Sequence, residues 1–158
     1  MTINELMGIA LKIEGVGYSY YSNLSKKSPE KIRTLFEELA NEEREHSRIF
    51  EELLKQYEEK SIGMLNEEEV GYATTYAQEI IFPKLNDENI PSNLKEALKR
   101  AIEVEKDSII FYTNIKALIP SLEVLNKIIE EERLHLKKLT LKLNDEDAFD
   151  MFSEGSMI

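Results

Sequence analysis

Four stretches of the chain carry apolar residues in an unbroken alternating 3,4 spacing, the pattern of a helix that buries one narrow seam. Segment A runs from Ile3 to Leu24, with the seam Ile3, Met7, Ala10, Glu14, Gly17, Tyr21, Leu24. Segment B opens at Ser28-Pro29-Glu30, read as an N-cap with proline at the first helical position, and runs to Tyr57. Its seam is Phe36, Leu39, Glu43, His46, Phe50, Leu53, Tyr57. Segment C begins near Pro91-Ser92-Asn93 and stops before Pro120, with the seam Leu94, Leu98, Ala101, Glu105, Ser108, Tyr112, Ile115. Segment D starts at Ser121 and reaches Leu143, with the seam Leu125, Ile128, Glu132, His135, Leu139. Between B and C some thirty residues hold one shorter helical candidate, Glu67 to Ile81, ended by Pro83. The pattern predicts an all-α protein: a four-helix bundle over residues 1–144, made of two antiparallel hairpins joined by a long B–C crossover with a short extra helix. Residues 145–158 form an acidic, weakly patterned tail.

Each seam is interrupted near its middle by a glutamate, and in B and D a histidine follows three residues later. A lone buried carboxylate costs several kcal/mol unless it is paired, protonated or bound to a metal. Four of them, one per helix, need a common partner. The two halves also repeat each other. Ala10 to Glu14, followed by Tyr20-Tyr21, aligns with Ala101 to Glu105, followed by Phe111-Tyr112; Glu42 to His46 aligns with Glu131 to His135. At a rise of about 1.5 Å per residue, Glu14 lies roughly 16 Å and Glu43 roughly 21 Å from the A–B turn, and Glu105 and Glu132 roughly 19 and 17 Å from the C–D turn. All four carboxylates can therefore meet at one level.

Composition removes competing chemistries. The chain has 158 residues and no cysteine, so it has no disulfide, thiolate nucleophile, zinc ribbon or iron–sulfur ligand. A formal charge of -11 would repel a phosphate backbone, which argues against nucleic acid as a partner. No apolar run approaches membrane-spanning length and the N-terminus lacks a signal-peptide pattern, so a cytoplasmic protein away from membranes is expected. The acidic runs at Glu67 to Glu69 and Asp145 to Asp147 read as solvated charge, and Asp145 to Asp150 lacks the glycine and final glutamate of an EF-hand loop.

What remains is a metal constellation. In an ExxH pair both side chains project to the same side of a helix. Two such pairs plus one glutamate from each other helix make a dimetal ligand set, in which four carboxylates balance two divalent cations. Glutamate is abundant here, so the two pairs alone are only moderately specific; all six residues falling on apolar seams at matched heights is the stronger sign. The other reading of the layer is a hydrogen-bonded polar layer in a structural or interaction bundle without metal.

The order Glu14, Glu43–His46, Glu105, Glu132–His135, with the stretch Glu43-Arg44-Glu45-His46, resembles the rubrerythrin-like branch of the ferritin-like diiron carboxylate superfamily over residues 3 to 143. The resemblance implies that Glu43 and Glu132 bridge the metals, that Glu14 and Glu105 are terminal ligands, and that His46 and His135 each bind one metal. It implies a ferritin-like bundle holding two iron ions, with manganese as an alternative. It also implies a cytoplasmic oxidoreductase, a homodimer, that reacts with hydrogen peroxide or O2. Iron storage or delivery by a ferroxidase is the second reading it leaves open. Two departures matter. There is no cysteine-ligated rubredoxin module, so electrons would come from an external donor protein. Ser108 stands where many of that branch carry a further glutamate three residues after the helix-C ligand, and the exchange of ligands seen there has no counterpart.

Around the six, Glu42 and Glu131 are rotated about 100° off the seam and are expected outside the site. Tyr21 and Tyr112, each seven residues after a seam glutamate, read first as core tyrosines with satisfied hydroxyls; the other reading is that they hydrogen-bond the ligands or carry a transient radical. Gly17 and Ser108, one turn from Glu14 and Glu105, read as close helix packing or as room for a small oxidant.

Overall fold

The computed structural model describes residues 3–58, 66–85 and 93–145. Helices α1 (Ile3–Lys27) and α2 (Glu30–Glu58) form one hairpin; α5 (Leu94–Leu118) and α6 (Val124–Leu143) form the other. The crossover between them carries α3 (Glu67–Thr75), a π turn (Tyr76–Ile81) and the short α4 (Phe82–Leu85). All four predicted helices are present, and every described seam residue is buried. The side chain of Tyr57 and the tail from 146 onward lie outside the described residues.

The boundaries follow local chemistry, in places differently from the sequence expectation. Asn93 caps α5 by accepting from the Glu96 N–H at 2.8 Å, and Asn66 caps α3 through the Glu69 N–H at 3.1 Å. Ser28 is not the cap of α2. Its hydroxyl turns back to the Leu24 carbonyl at 2.5 Å and closes α1, while α2 opens on the Pro29 carbonyl, which accepts from Arg33 N–H at 3.0 Å. A buried serine hydroxyl needs a partner, and the last turn of α1 offers a free carbonyl. Helix α6 starts three residues after Ser121, because Ile119 to Glu123 make a tight turn first. Pro83 does not end the crossover helix. The π turn before it widens the ladder, with Phe82 N–H reaching the Ala77 carbonyl five residues back. Pro83 then falls in the first turn of α4, where a missing N–H costs little.

The core is in two parts. One contains Met7, Ala10, Phe50, Leu53, Tyr112, Ile115, Leu125 and Ile128; the other contains Tyr21, Leu24, Phe36, Leu39, Leu94, Leu98 and Leu139. The glutamate–histidine layer lies between them. Helices α1 and α5 bury more than their seams: Leu6 and Ile13 on α1, and Val104, Asp107 and Phe111 on α5, are also covered. The cover is the crossover, whose Ala73, Ala77, Ile81 and Phe82 join the first core. No described helix is long and apolar enough to cross a membrane.

Asp107 anchors this cover. The residue is only 5% exposed, and its carboxylate accepts from the Tyr76 hydroxyl, at the start of the π turn, at 2.8 Å and from Lys84 Nζ, beyond the turn, at 2.7 Å. Asp107→Ala strands the Tyr76 hydroxyl and should cost about 1–3 kcal/mol in urea unfolding. Hydrogen exchange should rise in residues 67–85 ahead of the rest; uniform exchange across the chain would show that Asp107 does not hold the crossover.

Candidate metal centre

Each helix brings its seam glutamate to the middle of the bundle, and α2 and α6 add their histidines one turn on. All six side chains are buried, with Glu14, His46 and His135 at 0% exposure. Their facing atoms form two groups, each within 4.8 Å: Glu14, Glu43, His46 and Glu132, then Glu43, Glu105, Glu132 and His135. Glu43 and Glu132 are common to both. The sequence-expected residues are thus all brought together, with the B and D glutamates at the centre. The two imidazoles lie nearly parallel, their centroids 6.1 Å apart.

Both imidazoles point Nδ1 inward. His46 Nδ1 lies 2.9 Å from Glu132 Oε1 and 3.4 Å from Glu14 Oε1; His135 Nδ1 lies 3.6 Å from Glu43 Oε1 and 3.7 Å from Glu105 Oε2. Nε2 of each ring faces outward to a carboxylate of the opposite hairpin. His46 Nε2 meets Glu131 Oε2 at 2.5 Å, and His135 Nε2 meets Glu42 Oε2. Glu42 and Glu131 are therefore part of the site, against the expectation from their rotation off the seam. Leaving the seam is what carries them to the helix–helix boundary, where the neighbouring helix's ring turns its outer nitrogen. The signal was in the sequence as the paired EExxH stretches, Glu42-Glu43 to His46 and Glu131-Glu132 to His135.

The tyrosines cross in the same way. Tyr21 on α1 donates to Glu105 Oε1 at 2.5 Å, and Tyr112 on α5 donates to Glu14 Oε1 at 2.7 Å. Their hydroxyls are satisfied, but by the site and not by the core around them. Each reaches the glutamate of the other hairpin, because seven residues is two turns along its own helix and the partner's carboxylate points across. Burial, and then the negative charge of Glu105 or Glu14, pushes both phenols well above their ordinary range.

The protonation of the cluster follows from its charge. Burial, then repulsion from the other carboxylates, raises Glu43 and Glu132 well above the usual carboxylate range. Burial disfavours charge on Glu105 as well, but the neighbouring Glu132 carboxyl, the His135 ring and the Tyr21 hydroxyl outweigh it and hold its carboxyl low. Burial also works against charge on His46; the carboxylates of Glu132 and Glu14 prevail and push it up to about 12.

Among the described residues eight buried side-chain atoms make no well-aligned hydrogen bond, and six of them belong to this layer: Glu14 Oε2, Glu43 Oε1, His46 Nδ1, Glu105 Oε2, Glu132 Oε1 and His135 Nδ1, of which His46 Nδ1 and Glu132 Oε1 are near each other but out of line. One atom per residue is left over. Orphaned acceptors in a dry core are costly. Four carboxylates and two imidazoles, each with one such atom and grouped around two shared members, suit a pair of hard divalent cations.

Two outcomes follow. Glu43, Glu132 and His46 hold protons more tightly folded than unfolded, so unfolding releases protons and stability falls as pH rises; Glu105 has the opposite sign and matters only at acid pH. In chelator, the melting temperature should fall steadily between about pH 5 and pH 9; a flat or rising profile would contradict this charge state. Glu42→Ala and Glu131→Ala each free one imidazole, and should weaken metal binding by about 10–100-fold with the helical circular dichroism unchanged. Unaltered affinity in both would return these residues to the surface.

The family model described as Rubrerythrin matches residues 5–143. Among solved structures, a protein of Thermotoga maritima named as a ferritin-like diiron-carboxylate protein is similar over 92% of this chain and 96% of its own, with 31% identity and a TM-score of 0.67. No curated protein matches.

Proposed function

The chain belongs to the rubrerythrin family, and we propose that it is a dimetal carboxylate oxidoreductase that uses two iron ions to reduce hydrogen peroxide or O2. The observation that carries this reading is the set of six inward-facing orphaned atoms, which two ions would satisfy at once. Glu14 and His46 would hold one ion, Glu105 and His135 the other, with Glu43 and Glu132 between them. When bound, a ferrous pair would supply two electrons together, enough to cleave the O–O bond of hydrogen peroxide or to take O2 to hydrogen peroxide, without releasing a radical.

The residues of the chain set the conditions for that chemistry. Burial of all six side chains keeps bulk water out and strengthens every charge interaction in the layer. Tyr21 and Tyr112 occupy one oxygen of Glu105 and of Glu14, so each glutamate turns its second oxygen to the site. Glu131 and Glu42 keep the Nε2 proton of each imidazole on the outside, leaving the Nδ1 lone pair for the ion. Glu43 and Glu132, both raised, are the carboxyls that give up protons when cations arrive. Electrons would come from a separate donor protein, since the chain has no cysteine to hold a cluster or a rubredoxin iron. Carboxylate oxygens accept manganese as readily, which makes the ion's identity part of the test.

The experiment is anaerobic ferrous loading, metal analysis, then addition of peroxide. About two ions per chain should bind, with proton release, and oxidation should bring the near-ultraviolet absorption of a ferric pair. Glu132→Ala, which removes a carboxylate common to both groups, should lose the second ion and the peroxide-driven absorption. A wild-type stoichiometry near zero would sink the dimetal reading. Two ions that peroxide and O2 leave ferrous would keep the site and reject the oxidoreductase.

A further inference from the structure

Helix α1 contains three glycines, Gly8, Gly15 and Gly17, and glycine inside a helix is destabilising relative to alanine. At Gly8 and Gly15 a Cβ would meet nothing within 4 Å. At Gly17 it would lie 3.0 Å from Glu43 Oε2, 3.4 Å from Glu43 Cδ and 3.7 Å from Glu43 Cγ. All three nearest atoms belong to one side chain. The space that a side chain at 17 would fill is taken by the carboxylate shared by both halves of the layer, so it is not room for an oxidant.

The other hairpin does not repeat this. The position equivalent to Gly17 is Ser108, buried at 3% exposure, with its hydroxyl donated to the Val104 carbonyl at 2.9 Å, back along its own helix. A Cβ is tolerated there. Glu43 thus sits against the bare backbone of α1, at a position where the other hairpin carries a side chain.

We infer that Gly17 is a positioning residue, kept without a side chain so that Glu43 can take the shared place between the two metal ions. The inference rests on the dimetal reading. A methyl group at 17 obliges Glu43 to move by a few tenths of an ångström. Without metal, the Glu43 side chain is free to absorb that shift within the layer. With metal, two ions fix where its oxygens must be. Alanine at 17 therefore acts in opposite directions on the two states: it favours the helix of the metal-free protein and opposes the loaded one.

The test compares wild type, Gly17→Ala and Gly15→Ala in the full chain, by melting in chelator and by anaerobic ferrous titration. Both variants should melt at or above wild type when metal-free. Gly17→Ala should bind ferrous ion about tenfold or more weakly and gain less melting temperature from it; Gly15→Ala should bind as wild type does. The inference is overturned if Gly17→Ala binds with wild-type affinity, or if Gly15→Ala loses as much. It is overturned too if metal-free Gly17→Ala melts well below wild type, since the glycine then serves packing alone. If wild type and both variants all bind no metal, the dimetal reading has failed first; wild-type binding with an unaffected Gly17→Ala is the failure of this inference alone.

Discussion

Four carboxylates held at one level of a dry core are the constraint that organises this molecule. Their desolvation and mutual repulsion are paid for by nothing in the apolar layers above and below. The metal-free chain manages the charge by keeping protons on Glu43, Glu132 and His46. That is a holding arrangement, because it still leaves one unpartnered atom on each of the six side chains. In the dimetal reading proposed above, cations would satisfy all six and displace those protons, so the layer that weakens the empty bundle would stabilise the loaded one.

The layer also decides how the hairpins dock. The bonds that orient it cross between them: Tyr21 to Glu105, Tyr112 to Glu14, His46 to Glu131, His135 to Glu42. Apolar seams alone would tolerate a slip of one helical turn, since leucine packs almost as well against the next leucine. Four charge-assisted contacts at one height do not, because a slip would strand each of them. Burial supplies the bulk of the stability here, while the polar layer sets the register.

The fold and the six inner residues were legible because both follow from one period. A 3,4 seam identifies a helix and its buried stripe, and a charged residue on that stripe has to be explained by a site. The outer residues were harder for the same reason. Glu42 and Glu131 leave the stripe, so periodicity assigns them to solvent, and they are indeed 41% and 30% exposed; their other oxygen edge meets an imidazole that only tertiary packing brings there. The partners of the tyrosines depend on which helix lies opposite, which spacing along one chain does not encode. Pro83 and Ser28 were misread because a local rule was outbid by its surroundings: a π turn made room for the proline, and an exposed carbonyl at the end of α1 claimed the serine.

The near-repeat of the two halves makes their differences informative. Asp107 aligns with Val16, so the crossover grips α5 through a buried carboxylate and rests on α1 through Phe82, over whose ring Lys12 Nζ sits at 4.4 Å. Ser108 aligns with Gly17, so the shared carboxylates have different neighbours. Both differences lie on α1 and α5, Asp107 beneath the crossover and Gly17 against Glu43 inside the bundle. The other pair of helices keeps its repeat in the site: Glu42-Glu43 and His46 match Glu131-Glu132 and His135 in residue type and in their contacts across the bundle. A duplicated hairpin covered on one side only must diverge on that side first, because the cover meets α1 and α5 with different residues. The ligand types are the same in both halves, but Glu43 lies beside the bare backbone of Gly17 where the other hairpin carries Ser108. The result is a buried cluster whose residue types repeat between the two hairpins, inside a shell that does not.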